Sequence, residues 1–164
     1  MLSVVYKLKD IAFEALMGIY IEGNKENGAE LYPTVSENEQ IIRAEQDFYA
    51  FLQAFFRNDR AFYAMWACEG RYVSALRMEP YQDGYLLEAL ETAPDARCKG
   101  YAKALVTDVL SYLRKKTNAP IYSHVNKKNK ASLVVHNACG LKKILEHAVY
   151  IDGSVSHHCC TLRY

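Results

Sequence analysis

The sequence predicts a mixed α/β (α+β) fold: a central, mostly antiparallel sheet with one parallel strand pair, and helices on both faces. Three observations lead there. Between positions 61 and 92, three strand-like runs are separated only by Glu69-Gly70 and Asp83-Gly84, short turns that join consecutive antiparallel strands. From Tyr85 to Val125 the pattern reads strand, amphipathic helix, strand, the crossover that places two strands parallel. Two helical stretches precede this block, and a hairpin pattern around Asp152-Gly153 closes the chain.

Taken in order, Ser3 to Lys7 is short and partly β-branched, a first or edge strand. Asp10 is placed to cap a helix over Ile11 to about Ile21, with apolar residues at 12, 13, 16, 19 and 20. Glu22 to Pro33, EGNKENGAELYP, carries glycines, asparagines and a proline and reads as a long loop. Ser36 followed by Glu39 is a capping box, opening an amphipathic helix to about Phe56 with Ile41, Ile42, Phe48, Phe51, Leu52 and Phe55 on its apolar side. Ala61 to Cys68, Tyr72 to Met78 and Tyr85 to Thr92 form the meander. Gly100 to about Lys116 is a helix ended by Asn118 and Pro120, and Ile121 to Val125 is the next strand. Asn129 opens a further helix that stops at Gly140; Leu141 to Ile151 and Ser154 to Tyr164 are the arms of the hairpin. The expected total is about seven strands and four helices in one domain spanning 1–164.

Composition narrows the classes of function. Apolar residues make up 51% of the 164 positions, enough for a substantial core. Lys plus Arg number 20 against 19 Asp plus Glu, a balance that gives no global reason to expect a nucleic-acid partner. No apolar run approaches the roughly 18 residues of a membrane span, and the opening MLSVVYKLKD lacks the layout of a secretory signal. Five cysteines at irregular spacing (68, 98, 139, 159, 160) fit a reducing compartment, so a cytoplasmic location is expected. The 13 tyrosines suit half-buried sites where a ring packs and a hydroxyl stays wet.

The stretch LLEALETAPDARCKGYAKAL holds the chemistry. A strand stops at Pro94, a turn Arg97-x-x-Gly100-x-Ala102 follows, and a helix begins at once. Gly100 lets the chain turn sharply and a ligand come close, Ala102 avoids bulk, and the first helical turn offers free amides and the positive end of its dipole. Arg97, Lys99 and Lys103 add positive charge. Such a turn holds an anion; an ordinary strand-turn-helix bend fits the spacing alone equally well. It is neither a dinucleotide fingerprint nor a Walker A loop.

Those residues make the chain resemble the GNAT superfamily of N-acetyltransferases, whose signature is Arg or Gln, two residues, Gly, one residue, then Gly or Ala after a strand and a proline. A second family element is matched by Asn129 and by Gly140-Leu141, and the order of elements agrees over nearly the whole chain. The resemblance implies a sheet whose parallel pair is splayed, with the acetyl-CoA thioester in the gap. It implies a pyrophosphate clasp from Arg97, Cys98, Lys99, Gly100, Tyr101, Ala102 and Lys103, and a pantetheine arm along Leu90 and Thr92 with Asn129 beside it. Where many members carry a tyrosine that protonates the departing thiolate, this chain has His136, a donor candidate or a plain surface histidine; Tyr101 and Tyr122 are substitutes. A base for the attacking amine is sought in Glu88 and Glu91, which three apart in a regular strand face opposite sides, Glu91 being nearer the splay. Either also reads as solvated or lysine-paired.

Other signals carry less. His157-His158-Cys159-Cys160 alternates faces and lacks a second ligand pair, so no metal is expected. Cys139 reads as packing against the sheet. Lys127, Lys128 and Lys130 form a solvated face or border the cofactor's nucleotide end. The expected activity is acetyl transfer to a small-molecule primary amine by direct attack, from a monomer or homodimer, with no nucleic-acid or membrane partner. The acceptor pocket is placed at 22 to 35, the start of the long helix and the turn 152 to 154. A protein or peptide acetyltransferase and a non-catalytic acyl-CoA-binding module are the alternatives.

Overall fold

Alternation along each strand separates two cores, as the computed structural model, which describes residues 1–164, makes plain. The strands are β1 (Leu2–Val5), β2 (Phe62–Cys68), β3 (Arg71–Tyr81), β4 (Gly84–Thr92), β5 (Ile121–Asn126), β6 (Lys142–Leu145) and β9 (Cys159–Arg163), in a seven-stranded sheet of order β1-β2-β3-β4-β5-β9-β6. Only β4 and β5 run parallel. Phe62 and Ala64 of β2 face one side, with Leu76, Met78 and Leu87, and pack under α4 (Tyr101–Arg114) through Leu105, Val106, Val109, Leu110 and Leu113. Tyr63 and Met65 face the other side, against Leu16, Ile19, Leu52 and Phe55. Each such buried aliphatic side chain contributes about 1.5–3 kcal/mol.

The second face is covered by α1 (Phe13–Met17), α2 (Ile21–Leu31) and α3 (Glu37–Phe55). At the head of α3 the Ser36 half of the capping box forms, the Glu39 amide donating to Ser36 Oγ at 3.4 Å, while the Glu39 carboxylate accepts from Arg43 at 2.8 Å. Two expectations are corrected here. The helix expected over Ile11 to Ile21 is a single short α1, with Asp10 in a preceding 3-10 turn and no side-chain cap. The loop expected over Glu22 to Pro33 is mostly helix α2. Gly28 reflects packing: a Cβ on it would lie 2.6 Å from the Gln40 carbonyl oxygen, so α2 crosses α3 at backbone contact. Gln40 then donates to the carbonyls of Tyr32 and Val35, tying down the end of α2, and the buried Asn24 amide reaches Met17 Sδ at 3.4 Å.

The closing hairpin is also interrupted. Between β6 and β9 a two-stranded ribbon, β7 (Ala148–Val149) and β8 (Val155–Ser156), stands apart from the main sheet, and β9 inserts between β5 and β6. α5 (Lys130–Ala138) packs beside α4. No helix is long and apolar enough to cross a membrane.

Two irregularities shape the centre. β4 and β5 pair only at Tyr85–Ile121, Leu86–Tyr122 and Leu87–Ser123; beyond Leu87 they diverge, forming the splayed pair. On its other edge β4 is bulged: Ala75 faces Glu91 and Arg77 faces Glu88, so two steps on β3 match three on β4, with Ala89 at φ +50°. A bulge of this kind bends its strand and breaks the two-residue alternation.

Candidate active site

The turn after β4 is built to present amides. Cys98 at φ +61° and Gly100 at φ +83° reverse the chain twice within three residues, and no backbone N–H from 97 to 103 donates to another group of the protein. Successive free amides at a helix start form an anion-binding concavity. A Cβ on Gly100 would meet nothing within 4 Å, so the space before these amides is open. They open onto a cleft of about 540 Å³ lined by β4, the turn and α5. Every residue assigned to the cofactor from sequence lines it except Lys99: Leu90, Thr92, Arg97, Cys98, Gly100, Tyr101, Ala102, Lys103 and Asn129. Lys99 instead donates to the Asp95 carbonyl at 3.1 Å. Asn129 caps α5, its Oδ1 accepting from the Ser132 amide at 3.0 Å. The Arg97 guanidinium bridges Glu22 of α2 at 2.7 Å and Glu91 of β4 at 3.3 Å, leaving its backbone amide as its offering to an anion.

At the fork of β4 and β5 lies a second hollow, lined by Glu88, Ser123, His124, Asn129, Ser132 and His136 among others. His136 is no surface histidine; it is 1% exposed, and burial holds it below its ordinary pKa. Its Nδ1–H donates to the Ser132 carbonyl at 2.8 Å, so in the neutral ring Nε2 is an acceptor, 3.0 Å from Ser123 Oγ. The same hydroxyl lies 3.0 Å from the Leu87 carbonyl, at the last paired position before the strands part. Sequence reasoning missed Ser123; a serine between Tyr122 and His124 in a strand heading into the core was the available signal. Of the substitute acids, Tyr101 hydrogen-bonds Cys68 Sγ at 3.2 Å and Tyr122 donates to Asp83 at 2.8 Å.

The two glutamates are not on opposite faces. Because of the bulge, Glu88 and Glu91 lie opposite Arg77 and Ala75, two residues apart on β3, and so share the face under the N-terminal helices. Their surroundings differ. Glu91 Oε1 accepts from the Thr92 amide at 2.9 Å and from Arg97, within the cleft beside the turn. Glu88 faces the fork and accepts from Arg77 Nη2 at 3.1 Å and Nε at 3.2 Å. Arg77 also lies 3.9 Å from Glu79 and stacks on Phe51 of α3 at 4.5 Å. Burial, then the hydrogen bond and charge of Glu88, push Glu79 up to about 7.

The rest of this face is aromatic. Tyr81 lies 5.4 Å from both Tyr122 and His124, and His124 lies 5.5 Å from Tyr150 (centroid to centroid). His124 contacts the Val149 carbonyl at 3.1 Å and Thr161 Oγ1 at 3.2 Å, and burial lowers its pKa. Of the discounted residues, His157 packs against the ring of His147 at 6.0 Å. Cys139 Sγ sits between α4 and α5, 3.6 Å from Thr107 Oγ1, and Lys127 pairs with Glu146 at 3.6 Å.

Known proteins share this fold. The PaiA N-acetyltransferase of Thermoplasma acidophilum, solved with coenzyme A, superposes with TM-score 0.65 at 12% identity over 99% of this chain and 98% of its own. A ribosomal-protein-alanine N-acetyltransferase from Brucella melitensis gives TM-score 0.66 at 16% identity, covering 100% and 98%. The N-acetyltransferase of Staphylococcus aureus gives 0.63 at 15%, covering 100% and 98%. No curated protein matches in sequence. The model of the acetyltransferase (GNAT) family matches residues 28–141, more than half of the sequence, and the chain belongs to that family.

Proposed function

We propose that this protein transfers the acetyl group of acetyl-CoA to the primary amine of a small molecule, both substrates being bound together. The carrying observation is that the cleft at the amide-rich turn and the hollow at the β4–β5 fork share Leu90, Asn129 and Ser132 as lining, with Glu88 on the face of the fork away from α4. Acetyl-CoA supplies an activated acetyl thioester. The amides of 97–103 would hold its pyrophosphate, and the free edge of β4 near Leu90 and Thr92 would pair with the pantetheine arm. On the opposite face, Glu88 takes a proton from the acceptor ammonium and leaves a neutral amine. A new N–C bond forms as the C–S bond breaks, and the second amine proton ends on the sulfur. Ser123, hydrogen-bonded to His136 Nε2, is the hydroxyl nearest the parting strands and the carrier we favour for that proton. Holding amine and thioester in one gap supplies much of the acceleration.

A small acceptor is favoured over a peptide by the cover on the acceptor face. α2 stands where a loop was expected, tied down by Glu22 to Arg97 and by the Tyr20 hydroxyl donating to the Ala89 carbonyl at 2.7 Å. Glu79, Glu88 and the aromatic walls favour a cationic amine. The test is thiol release from acetyl-CoA against polyamines, aminoglycosides, amino acids and peptides. Turnover is expected with a small cationic amine. Peptides as the sole substrates would move the reading to a protein acetyltransferase, and acetyl-CoA binding without any turnover would make the protein a binding module.

A further inference from the structure

Glu88 accepts from two nitrogens of one guanidinium, that of Arg77. The cluster around it nevertheless has one negative charge too many. Arg77 is shared with Glu79, whose carboxylate lies 3.9 Å from Nε without a bond to it. In the β3–β4 pairing Arg77 faces Glu88 and Glu79 faces Leu86, so the two carboxylates are diagonal neighbours on one face. Their side chains are only 23% and 19% exposed. On the other side of Arg77, Tyr63 of β2 directs a fully buried hydroxyl with no partner in the chain at the same cluster. The other titratable groups in its field are Tyr20 near Tyr63, Glu91 near Tyr20, and His124 and Tyr150 near Glu88; α3 packs Phe51 on Arg77 and Phe55 on Tyr63.

We propose that Glu79 and Glu88, clamped by Arg77, work as one carboxylate dyad that receives the proton of the acceptor ammonium, Glu88 touching the substrate and Glu79 sharing the proton. This rests on the acetyltransferase reading. Before reaction the three groups carry a net charge of minus one. One proton leaves R–NH3+, one carboxylate becomes a carboxylic acid, and the cluster becomes neutral. After acetyl transfer the proton leaves to solvent through the partly exposed Glu79. Two carboxylates that cannot both stay ionised at low cost hold a proton more tightly than either alone beside an arginine. The elevated Glu79 value of about 7 agrees with that sharing.

Two measurements test it. The first follows kcat/KM against pH for wild type, Glu79→Gln and Glu79→Asp with the best acceptor. Wild type is expected to rise through a limb near pH 7. Glu79→Gln removes one of the two carboxylates; the limb near pH 7 is expected to be lost from its position and the plateau to fall roughly tenfold. The KM for acetyl-CoA stays within about twofold, and Glu79→Asp keeps the limb. An unmoved limb in Glu79→Gln overturns the dyad. The second uses 13C-carboxyl-labelled glutamate and needs no turnover. One carboxyl titrating near pH 7 is expected in wild type and absent from both Glu79→Gln and Glu88→Gln; no such carboxyl in wild type overturns the dyad. If that carboxyl is present and acetyl-CoA binds, yet no amine is acetylated, the acetyltransferase reading falls and the dyad's catalytic role with it.

Discussion

Ser123 has one hydroxyl proton and two acceptors, the Leu87 carbonyl and His136 Nε2, each 3.0 Å away. His136 is therefore a structural partner of the fork as much as a chemical one. Replacing it with Phe keeps the ring volume and removes the bonds to Ser123 and Ser132, a loss of about 1–3 kcal/mol for buried polar groups left unpaired. The sign of the pH dependence follows from burial, which holds the folded-state pKa of His136 below its ordinary value near 6.5. Below about pH 6.5 the unfolded chain takes up a proton that the folded chain refuses, so this contribution to stability is full above that pH and lost as pH falls through it. His124 acts in the same direction and Glu79, with its raised value, in the opposite one. The clean readout is the stability gap between wild type and His136→Phe in urea titrations at pH 7.5 and 5.5. It is expected to narrow at the lower pH; a constant gap would mean that His136 is not held neutral by burial.

Among the elements, α2 shows how far local sequence can mislead. Gly23, Asn24 and Gly28 have turn chemistry, and propensity alone places a loop there. The helix exists because its neighbours need close approach, information that resides in Gln40 and Met17 rather than in the segment itself. The two glycines separate the causes. Gly23→Ala meets nothing within 4 Å and is expected to stabilise by about 0.5–1 kcal/mol, since alanine is the better helix former. Gly28→Ala would drive its methyl into the Gln40 carbonyl, 2.6 Å away, and is expected to destabilise by about 1–3 kcal/mol. Chemical denaturation of both variants decides; a shared sign would remove the close-packing explanation. The bulge in β4 is the second case. Strict alternation separated Glu88 from Glu91, and only the pairing with β3 revealed the extra residue that reunites them. By contrast, the capping box of α3, the crossover through α4 and the turn at Gly100 were legible, because each is set by residues adjacent in sequence.

At the scale of the whole molecule, the proposed reaction divides the sheet between donor and acceptor. The donor cleft lies at the turn into α4 and along α5, and most of its lining was readable from one contiguous stretch, 90 to 103, plus Asn129. The proposed acceptor face is assembled from β3, β4, β5, the β7–β8 ribbon and the N-terminal helices, and none of Arg77, Glu79, Ser123 or His124 carries a motif. Sites scattered over so many elements leave no local pattern, which is why the cofactor was legible and the acceptor was not. The Arg97 bridge joins the two halves. One guanidinium holds Glu22 of the helix over the acceptor face and Glu91 of the strand that borders the donor cleft. Neither ligand can then be treated as binding to a passive partner. Whatever factor an acceptor imposes on acetyl-CoA affinity, acetyl-CoA must impose on the acceptor. Calorimetric titrations run in both orders should return the same factor. In Glu22→Gln, with the link cut on the helix side, that factor is expected to approach one.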